Sequence, residues 1–400
     1  MQFYYGFGDV YGYYTGGLEI WNAFIKSPAT ALELIFRSRE NYSAEAITVA
    51  PYTSFMGFAL SLNIVIKMAG FISIFCFGTY IPIALVFTMF SFWGTWLIFI
   101  TINKYFPHVY KFTALATLFI PSVILWSSGI SKEPPCMFAL GLAFYSVDKL
   151  LQKEGFFKHT LYIIFASWIL IFTKNYIFYT FLIAAIIWVY FFFLNNLSFP
   201  ILKFFTKLFI ALGILSFFIY FFLVPDNPVQ ASFMAGLVKG ENLQGLMTRA
   251  NEMEGGIGYT LPQVEFSFWG FVKSFFSSLN VTLFRPYVWE TENIFMFLSS
   301  FESFFTFVLA GIVIIKGGLG RLSKLVREYP VIVFMLVFPL VFSPIVGFIS
   351  FNFGTLVRYK IPVLPFFFPF LFILLLTRKS AGNSEPDVLI DSAIPNVNDK

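Results

Sequence analysis

Residues 80–103, "YIPIALVFTMFSFWGTWLIFITIN", run for 24 positions without a charged side chain. About 20 apolar residues in an α-helix cross the ~30 Å hydrocarbon core of a bilayer. A helix also satisfies its own backbone hydrogen bonds in lipid, where no water can. Lys104 closes the stretch and opens a short polar loop. Carried outward, the same reading places further spans at 112–129, 134–150, 160–173, 176–194, 205–224, 294–315, 331–350 and 361–377. The expected fold class is an all-α polytopic membrane protein of about nine transmembrane helices. The segments 160–173 and 176–194, parted only by Lys174 and Asn175, read as two short helices or as one helix broken over a cavity.

Composition agrees. Of 400 residues, 58% are hydrophobic and only 12% charged, whereas a soluble domain is about one quarter charged. The 59 Phe residues read mostly as lipid-facing bulk. Cys76 and Cys136 form no C-x-x-C pair and suggest no disulfide framework. His108 and His159 stand alone in basic loops, which argues against a zinc or haem site. No basic tract with interleaved aromatics points to nucleic acid as a partner. The chain shows no internal repeat and no phosphate-loop or dinucleotide motif.

Charge placement sets the orientation. Lys104 and Lys111, then Lys149, Lys153 and Lys158, Lys203 and Lys207, Lys316, Arg321, Lys324 and Arg327, and finally Arg378 and Lys379 fall on one side of nine spans. Positive loops mark the cytoplasmic side. The other side holds 1–53, the turns at Lys132 and Lys174, the loop 225–293 and residues 351–360; that loop carries seven acids against four bases. The expected organisation is therefore an exported loop with interfacial or re-entrant helices (1–79), a bundle of six spans (80–224), a long exported loop with the amphipathic stretch "FSFWGFVKSFFSSL" (225–293), a bundle of three spans (294–377) and a disordered cytoplasmic tail (378–400). An exported start without a signal peptide creates the expectation that a further span precedes residue 1. Within the first loop, Tyr14, Leu18, Trp21 and Ile25 recur at helical spacing, as on a helix lying on the outer leaflet. The segment 54–78, interrupted by Asn63 and Lys67, reads as a second interfacial or re-entrant piece.

The polar residues worth attention gather at the non-cytoplasmic ends of spans. Asp9 lies among Gly6, Gly8 and Gly12, which allow close backbone approach to a ligand; it also fits the N-cap of a following helix. Lys132 and Glu133, in "WSSGISKEPP" (126–135), open a helix before two prolines; they suit an anion site or a solvated turn. Lys174 sits in strongly apolar surroundings, where a charge is either functional or snorkels to the surface. Arg285 and Glu290 belong to "LFRPYVWETEN" (283–293), and Glu302, inside the next span, requires a partner or a wet cavity. Arg358 and Lys360, in "TLVRYKIPVLPFF" (355–367), run against the positive-inside bias and suit a phosphate clamp. Lys132, Lys174, Arg285, Arg358 and Lys360 thus surround one aspartate on one side, as expected for a lipid-linked phosphate and a base.

These stretches, with "GDVYGYY" (8–14), "PSVILWSSGISKE" (121–133), "LFRPYVWE" (283–290) and "VRYKIPVLPF" (357–366), resemble the GT-C superfamily of membrane glycosyltransferases. The resemblance implies a polyprenyl-phosphate-linked sugar as donor and a glycan or lipid-linked acceptor. It implies a bacterial inner membrane with the active site on the periplasmic side. By the same resemblance Asp9 is the catalytic base or a metal ligand, which leaves a divalent metal as an open cofactor. Arg358 and Lys132 are the best matches for donor phosphate binding. Glu19, Glu45, Glu133 and Glu290 are the acids available to support Asp9. The alternatives are a surface-polysaccharide polymerase or ligase, a transporter, or a non-catalytic membrane subunit.

Overall fold

The computed structural model describes residues 9–56, 60–197, 268–291, 294–350 and 352–377, together with Leu212, Ser216 and Tyr259. The expected span 205–224, the tail 378–400, most of the long loop, and Lys203 and Lys207 lie outside the described residues. The helices are α1 (Asp9–Lys26), α2 (Pro28–Phe36), α3 (Ala44–Val49), α4 (Pro51–Met56), α5 (Leu60–Phe75), α6 (Tyr80–Tyr105), α7 (Tyr110–Leu118) and α8 (Pro121–Trp126). They continue with α9 (Glu133–Leu151), α10 (Phe156–Asn196), α11 (Phe268–Phe284), α12 (Ile294–Ile315), α13 (Gly318–Glu328), α14 (Val331–Ile349), α15 (Phe353–Tyr359) and α16 (Leu364–Leu376). No strand is present among the described residues. Five helical stretches are long and apolar enough to cross a membrane: Tyr80–Tyr105, Phe156–Asn196, Met296–Ile315, Val331–Ile349 and Phe353–Leu376. The chain therefore suits an integral membrane protein, as its composition requires.

The bundle is built around α9, of whose 19 residues 14 are buried. It crosses α6 at two glycines so closely that a Cβ on Gly141 would lie 2.0 Å from the Gly94 carbonyl oxygen. Small residues at such crossings let backbones meet, which is how helices associate where lipid removes the hydrophobic drive. Aromatic rings fill the space on another side: Phe144 packs on Trp188, Phe334 and Phe366 with centroids 5.2, 4.8 and 5.1 Å away.

The expected span 112–129 is instead two short helices, α7 and α8, of 9 and 6 residues. Pro121 supplies no N–H and disfavours helical geometry at Ile120, so the chain breaks there. The expected pair 160–173 and 176–194 is one 41-residue element, α10, with non-helical backbone at Lys174 (φ −143°, ψ 82°). Its two ends meet the same end of the bundle. The His159 ring packs on Tyr145, 5.6 Å between centroids. Asn195 Nδ2 donates to the carbonyls of Val326 and Arg327 at 3.2 and 3.0 Å. Nearby, Lys104 Nζ pairs with Asp148 Oδ2 at 2.8 Å, and Tyr329 packs on Phe106. Lys174 lies at the opposite end, so α10 folds back on itself there. The bundle thus has a basic-loop end and, opposite to it, an end carrying Glu133, Lys174 and Arg358.

Residues 9–80 form a lobe with its own apolar core, shared at its base with Ile83, Phe87 and Ile130. Gly12, Tyr13, Gly16, Gly17, Ile20 and Ala23 are the buried face of α1, whereas Ile25 is 63% exposed. The glycines face α5: a Cβ on Gly16 would strike Ile66 at 2.7 Å, and one on Gly70 would strike Ile20 at 2.4 Å. On α11, Ser274, Ser278 and Thr282 are buried while Trp269 is 76% exposed. Thr282 Oγ1 donates to the Ser343 carbonyl on α14 at 2.6 Å. A helix with hydroxyls inward and aromatics outward suits lipid better than water.

Gly94→Ala should lower the thermal midpoint in detergent, because overpacking a tight contact costs about 1–3 kcal/mol, more than the helix propensity gained by alanine. An unchanged midpoint would mean that the α6–α9 crossing relaxes freely. Single cysteines at Lys153 and Lys324 should react with an impermeant thiol reagent from one side of sealed vesicles, and a cysteine at Tyr11 from the other.

Candidate functional site

Each member of the cluster at the end opposite the basic loops is placed by a local backbone event. Glu133 is the first residue of α9, where the positive end of the helix dipole favours an acid and the following Pro134 and Pro135 lack the N–H groups that a first turn leaves unpaired anyway. Lys174 is carried by the break in α10. Arg358 stands near the end of α15, whose start is capped by Asn352 Oδ1 accepting from the Thr355 N–H at 2.6 Å. Asp9 lies in the first turn of α1.

Their side chains form one chain of charges. Lys174 Nζ lies 3.1 Å from Glu133 Oε1. Arg358 Nη2 lies 3.3 Å from the same oxygen, and Arg358 Nη1 lies 3.3 Å from Asp9 Oδ2. Glu133 and Lys174 are 3% and 7% exposed, whereas the Asp9 side chain is 54% exposed. The Lys174 ammonium sits 4.3 Å from the Tyr359 ring centre, and the Arg358 guanidinium 5.8 Å from that of Trp126. Lys132, just before α9, acts electrostatically on this group. Burial pulls its ammonium below the usual lysine value, and the Asp9 and Glu133 carboxylates oppose that pull. Burial, then the Asp9 charge, pushes the Tyr13 phenol up, so Tyr13 keeps its proton. Three buried atoms around the cluster, Tyr13 Oη, Tyr176 Oη and Glu133 Oε2, have no hydrogen-bond partner among the described residues. Buried polar atoms are rarely left so, and each calls for a water or a ligand.

Asp9, Glu133, Lys174 and Arg358 are therefore together, with Lys132 beside them. The remaining candidates are elsewhere. Arg285 is occupied: its guanidinium meets Glu290 with both Nε and Nη2, Nε lying 3.1 Å from each carboxylate oxygen, and lies 4.9 Å from the Phe353 ring centre. Glu290 also accepts the Tyr287 N–H at 2.8 Å, so this pair fixes the loop before α12. Lys360 does not join Arg358 in a clamp. Two positions apart near a helix end they point in different directions, and Lys360 Nζ donates to Ser303 Oγ at 2.6 Å and to the Arg285 carbonyl at 3.1 Å. Glu19 caps the start of α4 through the N–H groups of Tyr52 and Thr53 at 3.0 and 2.8 Å. Glu45 accepts from Thr30 Oγ1 at 3.4 Å within the lobe. Glu302 has its partner, the Ser122 N–H at 2.6 Å.

A divalent ion finds no donor set here. Among the described residues no three His, Cys, Asp or Glu side chains come together, and both carboxylates beside Arg358 already face cations. The aromatic neighbours Tyr13, Trp126, Tyr176 and Tyr359 were not singled out from the sequence. Each stands within a few residues of a charged candidate, and that adjacency was the available signal. Against models of known protein families, curated proteins and solved structures, the chain finds no match.

Removing one partner of a buried ion pair typically costs about 3–5 kcal/mol, because the other charge is stranded. Lys174→Met should thus destabilise the protein strongly in denaturant unfolding, and Lys174→Met with Glu133→Gln should recover much of the loss. Purely additive effects of the two changes would show that the charges do not act as a pair.

Proposed function

We propose that the protein is a membrane glycosyltransferase of GT-C type, transferring a sugar from a polyprenyl-phosphate donor to a lipid-linked glycan or other exported acceptor. The observation that carries this reading is the Arg358 guanidinium. It offers five N–H donors and uses two on Asp9 and Glu133. The remaining donors, beside the exposed Asp9 and with Lys132 near, suit two oxygens of a phosphate. Three cations against two carboxylates leave the cluster net positive, which favours an anionic donor.

In this reading Asp9 takes the proton of the acceptor hydroxyl as its oxygen attacks the anomeric carbon. The bond from that carbon to the phosphate oxygen breaks, most simply with inversion, and the leaving phosphate keeps the electron pair. Arg358 and Lys132 stabilise the charge that grows there. Lys174 and Glu133 are positioning residues that hold Arg358. The topology that goes with the reading has about nine spans in a bacterial inner membrane, with Asp9 and Arg358 on the periplasmic side. The fold-back of α10 at Lys174 supports counting its two legs as separate crossings.

Asp9→Asn should slow transfer by roughly 10²–10⁴-fold, the usual worth of a general base. The assay is release of polyprenyl phosphate from a panel of polyprenyl-phosphate hexoses in proteoliposomes, with surface glycan followed in cells. Arg358→Ala should raise the donor KM, and Arg358→Lys should restore part of it. Normal transfer by well-expressed Asp9→Asn protein would remove Asp9 as the base, and no transfer by the wild-type protein from any donor of the panel would favour a non-catalytic subunit instead.

A further inference from the structure

A cleft of about 350 Å³ opens on the side of the bundle between α7, α8, α12 and α16. Its walls are apolar, with Phe119, Phe301, Phe305 and Phe372 among them, and one ionisable side chain lines it, Glu302. Glu302 is 9% exposed. Its Oε1 accepts the Ser122 N–H at 2.6 Å, while Oε2 is buried with no partner among the described residues. A carboxyl oxygen left bare in an apolar wall is unfavourable unless a hydrogen-bonding group meets it.

We propose that this cleft binds a lipid alcohol, its chain lying along the phenylalanines and its hydroxyl donating to Glu302 Oε2. The chemistry selects that occupant. A phosphate or an ammonium head would bring a further charge into an apolar wall, which is unfavourable. A hydroxyl supplies the missing hydrogen bond without a charge. The cleft lies directly below the polar end of the bundle. On α12 the next residue, Ser303, bonds Lys360, so a head at Glu302 and a tail along Phe305 and Phe372 match an amphiphile entering from the membrane. This site stands whether or not the sugar-transfer reading holds.

The test uses the delipidated full chain in detergent and three probes with a mid-chain diazirine: a hexadecanol, its methyl ether and its phosphate monoester. The alcohol should label the peptides around Phe301–Phe305 and Phe368–Phe372 at least about fivefold more than the other two, the ratio that one net hydrogen bond of about 1 kcal/mol provides. Glu302→Gln, which keeps an acceptor for Ser122, should narrow that preference. Leu298→Trp, which fills the cleft without touching Glu302's bond to Ser122, should abolish the labelling. Equal labelling by alcohol and ether, preference for the phosphate, or labelling that survives Leu298→Trp would each overturn the proposal.

Discussion

The structure depends on how one buried carboxylate finds its cations. Glu133 begins a helix with 14 of its 19 residues buried, where an unpaired charge could not be kept. Lys174 and Arg358 answer it from 41 and 225 residues away. A continuous helix through Lys174 would carry its ammonium into the middle of an apolar element. The break in α10 instead brings it to the end of the bundle, against Glu133 and the Tyr359 ring. The irregular backbone there is tolerated because protein, and not lipid, surrounds it. Three elements, α9, α10 and α15, are thereby fixed at one point.

The two ends of the bundle treat charge differently. At the basic-loop end each ion pair has one exposed member: the Lys104 side chain is 38% exposed over a buried Asp148, and the Glu154 side chain is 53% exposed beside Lys149. Arg321 closes the last helix by donating to the carbonyls of Leu374, Leu375 and Thr377. These contacts finish helices. At the opposite end Glu133 and Lys174 are buried, the exposed Asp9 joins them through Arg358, and hydroxyl and carboxylate oxygens without a partner among the described residues remain beside them.

Much of this was legible in the sequence, and the failures share a cause. Apolar runs locate α6, α10, α12, α14 and α16, since length and hydropathy are local properties. The collection of Asp9, Lys132, Lys174 and Arg358 at one end follows from counting charges across spans. Contacts through glycine, as at Gly16 on α1 and Gly70 on α5, leave no apolar signal, so the packing of α1 against α5 is not visible in the sequence. Partner choice is equally invisible. Arg285 and Arg358 look alike in sequence, each an arginine in an aromatic loop, yet Glu290 occupies the first five residues away, and the second bridges two acids with donors left over.

The short helix α8 ties the charged cluster to the apolar cleft. Its second residue, Ser122, holds Glu302, and its last, Trp126, lies against Arg358. The two are one turn apart, roughly 6 Å along the axis at 1.5 Å per residue. Pro121 starts this turn and cannot continue the helix before it, so the spacing is set by a rigid element and not by a loop. Lys360 and Arg358, two residues apart on α15 and the turn after it, address the same two centres from the other side. The turn at Pro121 and the end of α15 thus set the placement of the Glu302 and Arg358 centres through two short backbone segments.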